Sequence, residues 1–582
     1  RIRGLSRTQL GALSGTDIAL LSTTQVKAFT SFQIAGLTTE HIGALSVTQI
    51  GVLSAAQIAA LTKSSVAELS GTQVSALSTT HIKALAPTQI SSLSGAGIAA
   101  LSTSQVGVLT ASQVSALTTT QIGALEATDL GVLTVTQFQG VTAAQAKAFS
   151  TTQFAVLSAS QIGTLTTAEV AALSTSNIAI LSTTQLAGLT ATLVKALTTT
   201  QIRAISETDI AALSVTQVKA LTSPQAQALT ATQIDAFTLT QVSAIANVAL
   251  AALTTTNVVE LTTTQLGGLT TSQVGVLTSS QIKVLSETDI ASFSDTQISA
   301  LRATQIAALT LTEIKGFSAS DIDALTATQF KGFSGTQIAG FSTTQFAALT
   351  ATRIGALSLS QVAGLTATNI AGLSTTQIPG LTKVQLASLQ TSQIKAIEAT
   401  DIAALTTTQV GALLGTQTAA LSTTQVKAFT SSQIGALSDS AVKTLTATSI
   451  NTFSTTQIGG LSASQLGLFN VTQVRALTTT DIAALTATQS LGLKASQIAA
   501  LTTTQIGGLS ATQVGTLSTP LLGALTVTQV KALSATQFTG LTATQIGAFS
   551  VTQVKSIETT DLAVLSATQI GGLTASQAAV LS

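Results

Sequence analysis

Apolar residues return along this chain at a spacing that never changes. In "LSTTQVKAF", residues 21–29, the apolar positions are Leu21, Val26 and Phe29; "TSFQIAGL" then places Ile34 and Leu37 one octad further on, and the pattern continues to Leu581. The stretch from Ser6 to Leu581 divides into 72 octads with no insertion or deletion, and Ser582 opens another. A repeat of this strictness takes precedence over any other reading of a chain. The consensus is [ST]-x-[TS]-Q-[IV]-x-[AG]-L.

Each octad carries a helix-start signal. We call its first position the cap, the next six N1 to N6, and its closing apolar residue the N′ residue of the following octad. The cap is Ser or Thr in 62 of the 72 octads. Gln usually stands at N3, which completes a capping box: the hydroxyl accepts from the N3 amide, and the Gln side chain accepts from the cap's own N–H. Leu at N′ and Ile or Val at N4 form the pair of a hydrophobic staple. Leu21, Ser22, Gln25 and Val26 show all four parts. The next start comes one octad later, so each helix has room for about one and a half turns.

One continuous helix is excluded by the period. Eight positions at about 100° each turn the Ile/Leu pair by roughly 80° per octad, which leaves no stable buried stripe. The competing architecture is a two-sided β-solenoid, favoured by the Thr, Val and Ile content. Strict alternation would push the eighth position outward, yet that position is apolar throughout. Stacked short helices are therefore the expected fold, in a mainly α repeat solenoid.

Charge and proline positions point the same way. Acids belong near a helix N-terminus and bases near its end. Of the 22 acidic residues, 18 lie between cap and N3, including Asp17, Asp129, Asp209, Asp289, Asp321, Asp401, Asp481 and Asp561; of the 23 basic residues, 16 lie at N5, including Lys27, Lys219 and Lys555. Pro87 falls at N1, and Pro224 and Pro520 at N2, where no intrahelical donor is lost. Pro379 falls at N5 and should distort its octad.

A longer period is also present. The eight Asp residues at N3 all leave remainder 1 on division by 16, and the N4 residues Phe138, Phe154, Phe330, Phe346 and Phe538 all leave remainder 10. Two alternating kinds of octad predict a 16-residue rung, hence 36 rungs in one continuous solenoid over residues 1–582. Ala and Gly at the seventh position would let neighbouring rungs approach closely, and stacked rungs would bury Ile and Leu in one core. Acidic clusters recur every ten octads, "EATD" at 126–129 and "SETD" at 206–209 and 286–289. Block duplication accounts for them; the sharper alternative is periodic contact points between neighbouring rods.

Composition narrows the class. Hydrophobic residues make up 45% and charged residues only 8%, with a formal net charge of +1. The recurring Ile, Leu and Val exclude a disordered Ser/Thr linker, and no apolar run approaches the roughly 18 residues of a membrane span. So small a net charge offers no basis for nucleic-acid attraction and little repulsion between copies. Without Cys there is no disulfide or thiolate chemistry. The chain opens in mid-pattern without Met, as a piece of a longer protein would.

No catalytic, cofactor-binding or metal-ligating residue is expected. His41 and His81 both replace Gln at N3, with no Cys or second His near either, and read as tolerated cap substitutions. "DID" at 321–323 lacks a glycine-rich calcium loop and reads as a cap residue plus an exposed side chain. There is no G-x-S-x-G elbow and no Gly-Lys dipeptide for a phosphate loop. The sequon Asn470-Val471-Thr472 reads as an Asn cap.

Runs such as "LTTTQIGGLSATQVGTLS" at 501–518 resemble the octapeptide arrays of large repetitive surface and adhesin-like proteins of Gram-negative bacteria. That resemblance implies an exported structural role at the cell surface or outside the cell. The expectation is a non-enzymatic rod that associates with other copies of itself, as the building block of a filament or sheath or as the stalk of a giant adhesin. The alternative is an adhesive module whose repeat face binds a surface, a glycan or ice.

Overall fold

The computed structural model describes residues 1–581, and in it every octad closes into one short helix. Seventy-one octads form α-helices of four to six residues, and one forms a 3₁₀ helix. No strand occurs among the described residues, so the β-solenoid alternative falls. Its physical reason is at the corners. Only two residues per octad are extended, N′ and cap, as at Leu45 (φ −64°, ψ 130°) and Ser46 (φ −68°, ψ 158°), and the cap then commits the next residues to a helix. No described residue has a positive φ, so the corners need no glycine.

The exceptional octad is the one that holds Pro379. Its 3₁₀ helix, Ile378–Gly380, replaces the α-helix because a proline at N5 offers no N–H to the carbonyl four residues back. The chain tightens instead, with the Gly380 N–H donating to the Gln377 carbonyl at 2.8 Å. Pro87, Pro224 and Pro520 sit within the first turn of their helices, as expected.

The winding differs from the two-octad expectation. Within residues 1–293, and again within residues 294–581, helices pack against the helix three octads away: Gly71–Ser75 on Gly95–Ala99, Gly95–Ala99 on Thr119–Ala124, Gly415–Ala420 on Asp439–Thr444. One turn is thus three octads, not two, and the helices stack in three columns, which begin with the octads of Ser6, Ser14 and Ser22 in residues 1–293 and with those of Ser294, Arg302 and Thr310 in residues 294–581. The alternation of octad kinds is real but is not the winding. A step of three octads switches kind, so an Asp at N3 never lies one turn from another Asp at N3, nor a Phe at N4 from another Phe at N4. The alternation therefore separates only N3 Asp from N3 Asp and N4 Phe from N4 Phe; rings at N4 and N′ still meet, as Phe138 with Phe149 and Phe330 with Phe333 and Phe341.

The chain falls into two compact units, Arg1–Phe293 and Ser294–Ser582. In the first, Ser6 to Phe293 makes thirty-six octads, or twelve turns; in the second, Ser294 to Leu581 again makes thirty-six octads and twelve turns. Away from the chain ends the N4 residues, such as Ile82, Ile122 and Ile434, are buried, and the N′ leucines nearly as fully.

Turns approach closely where both positions of contact are small. A Cβ on Gly540 (N6) would lie 2.2 Å from the Ala511 carbonyl oxygen one turn earlier, and a Cβ on Gly515 (N5) would lie 2.3 Å from the Gly540 carbonyl oxygen. The same pairing links Gly163 with Gly188, Gly435 with Gly460 and Gly467 with Gly492. The expected role of small residues at the seventh position is therefore met as backbone-to-backbone contact.

Candidate functional site

The chemistry of this chain is concentrated at N3, where the side chain has two obligations. At Gln73, Oε1 accepts from the Ser70 N–H at 2.8 Å, while the Gln73 N–H donates to Ser70 Oγ at 3.3 Å. Its Nε2 then donates to the Leu45 carbonyl at 2.6 Å and the Ile42 carbonyl at 3.0 Å, 28 and 31 residues earlier. Leu45 is the N′ residue one turn back. Gln121 repeats the arrangement on Thr118, Leu93 and Ile90, and Gln433 on Thr430, Leu405 and Ile402. Within each compact part of the chain, residues 1–293 and 294–581, a ladder of buried amides thus joins a turn to the one before it. The capping-box reading captured the first obligation and missed the second.

The amide outlasts the hydroxyl. Where the cap is Ala86, Gln390, Leu414 or Lys494, no hydroxyl acceptor remains, yet the N3 Gln still accepts from the cap N–H at 2.6–2.9 Å and still reaches the preceding turn. Asn, one methylene shorter, also reaches: Asn177 Nδ2 donates to the Phe149 carbonyl at 3.1 Å and Asn257 Nδ2 to the Leu229 carbonyl at 2.8 Å.

The two histidines do more than tolerate the cap. His41 Nδ1 accepts from the Thr38 N–H at 3.3 Å, which fixes the hydrogen on Nε2, and Nε2 lies 2.8 Å from the Leu13 carbonyl. His81 Nδ1 accepts from the Ser78 N–H, and its ring bonds the Leu53 carbonyl; burial pushes its pKa down, partly opposed by that bond. Arg353 fills the place differently, donating to the Leu325 carbonyl at 3.0 Å and the Asp323 carbonyl, and pairing with the Asp323 carboxylate at 2.5 Å. The exposed Asp323 thus also serves as an ion-pair partner one turn away, a role its reading as an exposed side chain did not include.

Aspartate at N3 accepts but cannot donate when ionised. Asp401 is 2% exposed and its Oδ2 has no partner, and burial together with the Glu398 charge pushes its pKa up to about 6. Burial likewise raises Asp129, Asp321 and Asp561, with a neighbouring acid adding to each. Asp17 stands in the same octad position but is exposed, and there the Ser14 N–H and hydroxyl hold its carboxyl below the ordinary value. Most N3 aspartates are therefore buried between turns and do not form an outward stripe.

The recurring acidic clusters do not mark one face. Ten octads are three turns plus one octad, so the clusters at 126–129, 206–209 and 286–289 fall in the first, second and third columns in succession. The contact-point alternative is corrected accordingly. Among the described residues no group of three or more His, Cys, Asp or Glu is placed to hold a metal ion, and no helix is long and apolar enough to cross a membrane. Asn369 borders one interturn pocket, with Phe341, Thr343 and Phe346. No charged side chain lines it, and its hydroxyls are those of Thr343, Thr366 and Thr368.

Fold and ladder together define a repeat solenoid built of short capped helices. A family model described as the ALTTAQ repeat matches residues 10–47, 82–119, 90–127, 194–223 and 250–287. The six letters of that name fit N6, N′, cap, N1, N2 and N3, as in "ALTTTQ" at 116–121. No curated protein matches the chain.

Proposed function

We propose that the protein is a non-enzymatic structural element at the cell surface or outside the cell, which associates with other copies of itself to build a filament, a sheath or an adhesin stalk. The observation that carries this reading is the uninterrupted run of twelve alike turns in each unit. The buried N3 donors and acceptors are spent on holding one turn to the next, and a surface of Ser, Thr, a few charges and scattered apolar side chains such as Leu20, Phe32 and Val248 is left outward. Low net charge lowers the electrostatic barrier between copies. Electron microscopy of the purified chain at low salt tests it. Ordered fibres or lateral bundles are the expected result; isolated particles at every concentration would overturn it.

A second reading is an adhesive module. It is favoured by exposed hydroxyls at N1 and N2 that take no part in capping, such as Thr119 and Thr120, or Thr479 and Thr480. Its ligand would be a surface, a glycan or ice, and it predicts monomers that are retained by such a ligand.

A further inference from the structure

The three-column winding reveals a charge pattern that the linear sequence conceals. In the second column of the first unit the exposed acids are Asp17, Glu40, Glu68, Glu207, Asp235 and Glu260, against two exposed bases, Lys63 and Lys283. In the second column of the second unit the exposed bases are Arg302, Lys331, Lys427, Arg475 and Lys494, against one exposed acid, Glu398. Arg353 also belongs there, but its charge is met by Asp323. The second column is thus acidic within the first unit and basic within the second, although the whole chain carries a net charge of only +1.

Nothing in folding requires this segregation. The groups are exposed, and among the described residues the only ion pairs are Arg353 with Asp323 and Lys531 with Glu558 at 4.0 Å. Within a column like charges repel, so the arrangement is mildly unfavourable for an isolated unit. Between two molecules it is complementary. We infer that the second column is the contact surface between copies of this chain, the acidic column of the first unit in one molecule lying against the basic column of the second unit in another. The contact is electrostatic in origin and directional: first unit meets second, while first against first and second against second are repelled. The inference deepens the self-association proposed above and rests on it.

Sedimentation of the full chain in about 0.1 M and about 1 M NaCl tests it, because the screening length falls from about 10 Å to about 3 Å over that range. Two variants accompany the wild type, one with R302E, K331E, K427E and K494E, the other with E68K, E207K, D235K and E260K. All eight positions are exposed, and far-UV circular dichroism verifies that both variants fold. Wild type should associate at least tenfold more weakly in the higher salt. Each variant alone should lose at least tenfold in association, and an equimolar mixture of the two should regain it, since the mixture restores an acidic column opposite a basic one. Variants that associate alone as strongly as wild type would overturn this surface and leave self-association standing by another route. A wild type that stays monomeric at both salt concentrations would overturn the parent reading as well.

Discussion

Changing Gln121 to Glu alters one donor and leaves the shape intact, so it isolates the ladder from the cap. In the native protein Gln121 accepts from the Thr118 N–H at 2.8 Å and donates to the Leu93 carbonyl at 2.6 Å and the Ile90 carbonyl at 3.0 Å. The Ile90 carbonyl has a second partner in the Leu93 N–H, but Leu93's carbonyl depends on Gln121. Ionised Glu keeps the cap bond and faces that carbonyl with an oxygen, leaving a buried acceptor unpaired beside a buried charge. A lost buried bond of this kind, with the orphaned group, amounts to about 2–4 kcal/mol. Burial beside a carbonyl oxygen favours the neutral acid, so the penalty grows as pH rises above the unfolded value of about 4.3, is complete once the folded group is ionised, and is absent below about 4.3, where the neutral acid can donate. Gln121→Ala loses both obligations at every pH. A long array does not unfold in one step, so the readout is amide exchange of the helices Gly95–Ala99 and Thr119–Ala124, resolved by mass spectrometry. At pH 7 protection there should fall about 30- to 1000-fold in the Glu variant and recover in part near pH 4, whereas the Ala variant should show no recovery. Protection equal to wild type at pH 7 in the Glu variant would refute the ladder's energetic role.

Replacing Asp401 by Asn should stabilise its turn at neutral pH, because the folded pKa of about 6 lies above the ordinary 3.8 and ionisation opposes folding. That penalty is absent below pH 3.8, complete above about 6, and at most about 3 kcal/mol before screening by nearby water; exchange protection around residues 366–373 and 398–405, compared at pH 4 and 7, checks both sign and window. His81→Gln should act in the opposite sense: the lowered histidine pKa makes stability complete above pH 6.5 and lost as pH falls below it, so the variant should flatten the acid loss in helix Thr79–Ala84. Gly540→Ala places a methyl 2.2 Å from the Ala511 carbonyl oxygen and should lower protection of both helices by about 1–3 kcal/mol, while Gly507→Ala, with open space at its Cβ, should not.

The helix in each octad was legible because capping is local. Cap, N3, N′ and N4 lie close together in the chain, and proline adds its own punctuation, so that even the distorted octad of Pro379 could be placed in advance. The winding was not legible from the strongest long period, the Asp and Phe alternation, because that period of two octads does not divide the turn of three and so does not report which octads touch. Two better signals were present. Glycines paired at three octads plus one position, as Gly515 with Gly540 and Gly547 with Gly572, mark backbone contact across one turn. The other is the near-exclusion of Glu from N3, where only Glu169 and Glu313 occur. A helix N-terminus favours an anion, and Glu closes a capping box as well as Gln does. The preference for Gln over the equally long Glu points to an N–H donor in most octads, the eight with Asp excepted, and that donor must be aimed at something outside its own helix.

The amide ladder has a direction, since the glutamines reach back along the chain, as Gln121 does to carbonyls 28 and 31 residues earlier. During synthesis the acceptors for a new turn already exist when its donors emerge, so a nascent chain can settle turn by turn in the order it is made. The separations that must close stay near one turn of chain however many turns follow, which keeps the search short at any length. For such a chain, growth by duplication of whole turns imposes no slower folding on its longer descendants.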